Sequence, residues 1–150
     1  MFDIRQATRD DLPAIVGLLA DDDLGSARED TGTPLNPGYL TAFEAIARDP
    51  NQLLVVADDH GAVVGCLQIT FIPGLSRKGA WRGQIESVRV ASQRRSAGIG
   101  RVLIEWAIAK CRDRGCGSAQ LTSDKSRARA HAFYARLGFV ASHEGMKLKL

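Results

Sequence analysis

The stretch VRVASQRRSAGIGRVLIEWAIAKCRDRG, Val88 to Gly115, decides how the rest of the chain is read. It runs from a strand through a basic, glycine-bearing turn into a long amphipathic helix that ends at Gly115. A strand that hands over to a helix in this way makes an anion site. The first helical N–H groups have no intrahelical partner, and the macrodipole puts partial positive charge at that end. Gly98 and Gly100 remove Cβ atoms, so the backbone can approach a phosphate closely and adopt positive φ. Arg94, Arg95 and Arg101 add formal charge.

Two familiar phosphate loops do not fit. A Walker loop requires G-x-x-x-x-G-K-[ST], and the lysine is missing. The dinucleotide fingerprint requires a third glycine, where Leu103 stands, and a first strand near the N-terminus. What remains is R-x-x-G-x-G, as "RSAGIG".

Outward from this turn the elements alternate. Phe2 and Ile4 in "FDIRQA" predict a strand, and Leu12, Ile15, Val16 and Leu19 predict a helix after it. Thr8 with Asp11 three residues later has the spacing of a capping box. "LGSAREDTGTPLNPG" reads as a polar loop, and "YLTAFEAIARD" as a second helix stopped by Pro50. "QLLVVADDHGAVVGCLQITFI" holds two β-rich runs around Asp-His-Gly, a hairpin signal. "PGLSRKGAWRG" reads as a basic loop leading into the strand "QIESVRV". After the long helix come the strand "SAQLTS" and a helix "SRARAHAFYARL" closed by Gly138. "FVAS" and "MKLKL", around "HEG", predict a final strand pair. The result is an α/β chain, a single domain over residues 1–150 with helices on both faces of a mixed sheet.

Composition narrows the class. With 150 residues, 45% of them hydrophobic, the chain is long enough to bury a core. The net charge of +3 is unevenly spread: residues 1–60 carry 4 Lys/Arg against 12 Asp/Glu, and residues 61–150 carry 16 against 5. The basic part suits an anionic ligand and the acidic part a cationic one, or both simply cover a solvated surface. No nucleic-acid signature accompanies the basic part, no segment is apolar enough to span a bilayer, and the first residues lack an apolar stretch of signal-peptide length. The expected setting is cytoplasmic, without nucleic acid or membrane. Cys66, Cys111 and Cys116 form no C-x-x-C pair and the 3 histidines have no metal-ligand spacing, so reduced structural thiols and no metal are expected.

"RSAGIG" after "VRV" resembles the acyl-CoA signature of the GNAT superfamily of N-acetyltransferases. "AHAFYARLGF", Ala130 to Phe139, resembles the family's second signature. The order of elements agrees along essentially the whole chain. The resemblance implies a mixed, mostly antiparallel central sheet, acetyl-CoA as cosubstrate, and transfer of an acetyl group to a primary amine of a small molecule or peptide. It also implies that "QIESVRV" and "SAQLTS" splay apart. Ser87, Val88, Arg89 and Val90 would face the acetyl and pantetheine groups, and the amides of Arg95, Ser96, Ala97, Gly98, Ile99, Gly100 and Arg101 would bind the pyrophosphate. The family often has Asn where Arg127 stands here, so that contact does not transfer, although an arginine can also reach a phosphate.

Two residues are candidates for proton transfer. An alkylammonium of pKa near 10.4 is only about 0.1% neutral at pH 7.4, so the amine must lose a proton before it attacks. Glu86 shares a strand face with Val88 and Val90, which on the resemblance places it near the acetyl group and nominates it as general base; an exposed Glu or a partner for Arg89 is the alternative. Tyr134 stands at the family's general-acid position, beside the apolar positions Ala130, Phe133 and Leu137, and packing is its alternative. Arg77, Lys78 and Arg82 are candidates for an adenosine 3′-phosphate contact or for a solubilised loop, and His131 and His143 for surface residues or catalysts, with His143 in the final turn a candidate to line the acceptor site. Asp21, Asp22, Asp23, Glu29 and Asp30 favour a cationic acceptor or are solvated helix-end charges. A homodimer stays open, as does a non-catalytic acyl-CoA-binding or regulatory module on the same fold.

Overall fold

The computed structural model describes residues 2–150. Its centre is the hairpin of β2 (Gln52–Asp59) and β3 (Ala62–Ile72). His60 and Gly61 form the turn with φ of 53° and 91°, the pair of positive angles that matches strand twist in a two-residue hairpin loop. The Gly61 amide donates to the Asp58 carboxylate at 2.7 Å. β1 (Asp3–Gln6) pairs with β2, and β4 (Arg82–Val90) with β3, all antiparallel. β5 (Ser118–Leu121) lies parallel to β4, so the sheet order is β1-β2-β3-β4-β5. A parallel neighbour needs a crossover, and the long helix of the opening stretch, α5 (Ile99–Asp113), supplies it.

Both faces of the hairpin are covered, which is why residues 64–67 of β3 are buried without alternation. On one face Val55, Ala57, Leu67, Ile69, Phe71 and Ile85 pack against Ile99, Leu103, Ile104, Ala107 and Cys111 of α5. On the other, Leu54, Val56 and Cys66 meet Ile15 and Leu18 of α1 (Leu12–Ala20) and Phe43 and Ile46 of α3 (Pro37–Arg48). A short 3-10 turn, Arg9–Asp11, precedes α1. There the Asp11 carboxylate turns back to accept the Thr8 amide at 2.7 Å, as the capping-box spacing predicts. The last helix, α6 (Ala128–Arg136), ends where expected. Phe139 N–H donates to Tyr134 O and Gly138 N–H to Ala135 O, with Gly138 at φ 97°, a Schellman closure.

Three expectations are corrected. The polar loop after α1 contains a six-residue helix, α2 (Asp23–Arg28), which is too short for an apolar period and is held by Asp22 capping the Gly25 amide. The basic loop before β4 contains one turn, α4 (Ser76–Gly79), with Arg77 and Lys78 in the left-handed region. "FVAS" and "MKLKL" do not form a strand pair, and residues 140–150 carry no strand. Alternation marks a segment that can be a strand, but a strand exists only when a neighbouring edge takes its hydrogen bonds.

Candidate active site

β4 and β5 pair only through Arg82–Ser118, Gly83–Ala119, Gln84–Gln120 and Ile85–Leu121. Beyond Ile85, β4 continues to Val90 with β3 on one side and, among the described residues, no strand on the other, so its side away from β3 faces a gap from Glu86 to Val90. A bulge lies at the start of the gap. Gln68 is opposite Glu86 and Cys66 opposite Arg89, which gives β4 one extra residue, and Ser87 is bent to φ 55°. An extra residue inverts the alternation beyond it. Glu86 and Arg89 therefore share the face of Gln68 and Cys66, towards α1 and α2. Val88 and Val90 turn to the opposite face and pack with the α5 core. This corrects the expectation that Glu86 shares a face with Val88 and Val90, which assumed an unbroken strand.

The gap opens onto the turn between β4 and α5. Ser92–Arg94 is a 3-10 turn, and Ser96 and Gly98 have φ of 71° and 81°. The Ala97 amide donates to Arg94 O at 3.3 Å, whereas the amides of Arg95, Ser96 and Gly98 have no backbone acceptor. Those of Ile99, Gly100 and Arg101 are first-turn amides of α5, without intrahelical partners. Gly98 caps the helix in the left-handed region, where a branched residue would be strained. A Cβ at Gly100 would lie 3.6 Å from both Phe133 and Val90, so the site admits a methyl and little more.

The turn's arginines are already engaged. Arg94 pairs with Asp59, and Arg101 with Glu105 at 2.7 Å. Arg95 bonds Asp21 O at 3.1 Å, with the Asp21 carboxylate 3.7 Å away. Each of these arginines engages a single nitrogen, so the turn offers its free backbone amides together with the remaining guanidinium N–H groups.

Deeper in the cleft lies a cluster that draws on distant parts of the chain. Asp22, which caps α2, also pairs with Arg127, the residue preceding α6, and lies 3.9 Å from Arg89. Arg89 Nη1 donates to Val88 O at 3.0 Å, but its Nε is buried without any partner. Burial lowers the Arg89 pKa, and the nearby Arg127 works in the same direction. Burial works to raise the Asp22 pKa, yet the Gly25 amide and Arg127 together hold it below the ordinary carboxylate value.

Tyr134 stands edge-on to Phe133 and Phe139, with ring centroids 5.2 and 5.8 Å away. Burial raises the pKa of its phenol, against the pull of Arg89 and Arg127. Glu86 is exposed on the same face as Arg89, and its side chain makes no hydrogen bond.

The remaining candidates separate cleanly. Arg82 begins β4, eight residues and roughly 26 Å of strand from Val90, and Arg77 and Lys78 precede it in α4, so all three lie towards the far end from the amide-bearing turn. His131 and His143 are exposed. Glu29 accepts the Tyr39 hydroxyl at 2.8 Å, and Asp30 accepts the Gly32 amide. Much of the acidic segment's charge is thus met within the chain. The Cys66 thiol, pushed up to about 12 by burial, donates to Ser87 O at 3.4 Å and is structural. A cavity of about 460 Å³ lies elsewhere, between the starts of α1 and α3, lined by Arg9, Leu12, Pro13, Leu35 and Leu40.

Residues 19–139 match the model of the Acetyltransferase (GNAT) family. An aminoalkylphosphonate N-acetyltransferase of Salmonella typhimurium is 31% identical over 70% of this chain and 68% of its own length. A glucosamine 6-phosphate N-acetyltransferase of Trypanosoma brucei brucei is 34% identical over 60% of this chain and 59% of that protein. The crystal structure of a protein described as a transcriptional regulator, from Bacillus halodurans C-125, superposes over 100% of both chains with a TM-score of 0.97 and 47% identity. The parted strands, the glycine turn and these relatives agree: the chain belongs to the GNAT family and is an acyl-CoA-dependent N-acetyltransferase.

Proposed function

We propose that this chain, acting in the cytoplasm as one domain over residues 1–150, transfers the acetyl group of acetyl-CoA by direct attack of a small primary amine that also bears an anionic group. The observation that carries this reading is the parting of β4 from β5 immediately beside a turn rich in free amides. The residues fit the cosubstrate. On the side away from β3, the stretch Ser87 to Val90 has no strand neighbour and offers an extended arm the place of a missing strand. The amides of Arg95 to Arg101 suit a pyrophosphate.

When bound, acetyl-CoA supplies the thioester carbonyl. Glu86, exposed on the acceptor face, takes the proton that the ammonium must lose. Tyr134 keeps its proton at neutral pH because burial disfavours the phenolate, and it delivers that proton to the departing sulfur.

The acceptor class follows from charge. Arg89 and Arg127 share one carboxylate, Asp22, away from the exposed Glu86, and the partnerless Arg89 Nε leaves donor capacity for an incoming oxyanion. Glu86 and Arg89 stand opposite residues two apart on β3, so their Cα atoms are about 7 Å apart. That spacing suits an amine and an anion joined by a short chain. Both enzymatic relatives are named for amines that carry a phospho group.

The test is thiol release from acetyl-CoA with aminoalkylphosphonates, amino sugar phosphates, polyamines and aminoglycosides. The anionic amines are expected to turn over best, and a preference for polyamines would overturn the acceptor assignment. CoA binding without thiol release for any amine would instead favour a regulatory acyl-CoA-binding module, to which the description of the Bacillus halodurans protein lends weight.

A further inference from the structure

We infer that the amine accepted by this site is built on a polyhydroxylated carbon frame, as an anionic amino sugar is, and that its hydroxyls bond a band of neutral side chains beside Glu86. The inference rests on the acceptor reading above and narrows it. The register of the sheet assembles the band. Gln52 of β2, Thr70 of β3, Gln84 of β4 and Gln120 of β5 are successive cross-strand partners, and Gln68 lies opposite Glu86. Directly opposite residues share a face of a sheet, and so do residues two apart on one strand. All five therefore share the acceptor face with Glu86. Four of the chain's 6 glutamines are gathered here.

The band is open, yet its side chains are held. Glu86 and Gln120 are exposed, and Gln52, Gln68, Thr70 and Gln84 are half-buried. Gln52 Oε1 accepts from Gln68 Nε2 and from the Thr70 hydroxyl, each at 3.0 Å. Gln84 Oε1 accepts from Gln120 Nε2 at 2.7 Å. Among the described residues, the Oε1 atoms of Gln68 and Gln120 and the Nε2 groups of Gln52 and Gln84 have no side-chain partner. Turning both amides of a pair over exchanges these roles and keeps the count, so each pair presents one free carbonyl and one free amino group. A sheet face covered by water alone needs no such pairing, since solvent satisfies each amide separately.

A hydroxyl donates one hydrogen bond and accepts others, so neighbouring hydroxyls call for donors and acceptors interspersed on one surface. The amides are already oriented by one another, so little side-chain freedom is lost when a ligand binds. The dimensions fit as well. Gln84 lies two residues from Glu86, about 7 Å along the strand, and Gln120 is one strand further, about 5 Å. With the amine at Glu86 and the anionic group at Arg89, hydroxyls on the remaining edge of a sugar ring reach Gln68 and Gln84. A straight alkyl chain between the same two groups leaves these amides to water.

The test compares two phosphate monoesters that differ in their carbon frame, glucosamine 6-phosphate and ethanolamine phosphate. With acetyl-CoA, kcat/KM is expected to be about 10-fold higher for the sugar, the worth of two modest neutral hydrogen bonds. Gln84→Met and Gln120→Met keep side-chain length and delete the hydrogen-bonding groups. Each should narrow the ratio between the two substrates by about 3-fold, whereas loss of a merely structural residue would lower both rates and leave the ratio. Calorimetric titration of each phosphate into the CoA-saturated protein repeats the comparison without turnover, and decides it alone where no amine is acetylated. Equal or better use of ethanolamine phosphate overturns the inference and leaves the anionic-amine reading standing. So does a ratio that neither variant moves. If neither phosphate binds or reacts while polyamines do, the acceptor reading itself falls, and the inference with it.

Discussion

Two clusters of arginine and aspartate lie on this molecule, and they are built to opposite standards. At the β1–α1 corner, Arg5 donates to Asp11 at 2.8 and 2.9 Å and to Asp58 at 2.8 Å. The carboxylates are completed by Thr8 and by the Gly61 amide. One guanidinium meets two carboxylates, and its pKa rises, first because of the Asp11 hydrogen bonds. In the cleft the ratio is reversed. Asp22 serves Arg127 and, at 3.9 Å, Arg89, while Arg89 Nε has no partner. The first cluster is saturated and fastens two elements together. The second is under-satisfied and electropositive, as a site that awaits an anion should be. A saturated network is expected to respond to mutation in stability, and an unsaturated one in function.

The largest functional effect belongs to the residue that shares a face with the cleft cluster. Glu86→Gln keeps shape and removes basicity, so turnover at neutral pH should fall by about 10²-fold or more. The rise in melting temperature on adding CoA should be unchanged, because no part of the amide-bearing turn is altered. Wild-type turnover in this variant would move the role to a water chain or to His143.

Next is Tyr134→Phe. The ring still meets Phe133 and Phe139 and only the hydroxyl is lost, so kcat should drop about 10- to 100-fold. A thiol of pKa near 8.5 leaves tolerably without help, which keeps the loss below that at Glu86. Burial raises the phenol pKa, so the wild-type rate should fall only at strongly alkaline pH and the variant should lose that limb. A variant that melts early but is fully active in its folded fraction would show the hydroxyl to be idle.

Arg89→Met sharpens the contrast between the clusters. It keeps the apolar stem and deletes the donors, so KM for an aminoalkylphosphonate should rise about 10-fold, the lower end of the worth of a hydrogen bond to a charged group. KM for a neutral amine should move little, a split that a purely structural arginine would not produce.

What the sequence revealed was local. The glycine turn into α5, the His60-Gly61 hairpin and the Gly138 stop are each written in a few adjacent residues, because turn and cap chemistry acts over that range. The bulge at Ser87 was hidden since no glycine flags its positive φ, and with it went the true face of Glu86. The Asp22–Arg127 bond joins residues 105 apart, a pairing that no periodicity reports. α2 depends on one capping side chain. The tail's alternation was legible, but it forms no strand, because alternation does not say whether a neighbouring edge takes its hydrogen bonds.

The smallest expected effect tests the contrast most directly, with the same substitution at each cluster. Asp11→Asn places an amide donor against the donors of Arg5, and Asp11 is only 7% exposed. Arg5 is partly open to solvent, which screens the pair, so the loss should be about 1–2 kcal/mol. That corresponds to a fall of roughly 3–6 °C in melting temperature. The Arg5 hydrogen bonds hold the Asp11 pKa below its ordinary value. Its stabilisation is therefore complete above the unfolded-state value, near 3.9, and is lost as pH falls through the lower folded-state value. The gap between wild type and Asp11→Asn should accordingly be full at neutral pH and close only in strong acid. Asp22→Asn is different, because asparagine caps a helix as well as aspartate does and the Gly25 bond survives. What is lost is a half-open ion pair, about 1 kcal/mol or less. The cleft becomes more positive, so KM for an anionic amine should fall while the melting temperature barely moves. If Asp22→Asn instead melts as early as Asp11→Asn and leaves KM untouched, the cleft cluster is a second fastening and the distinction between the two is gone.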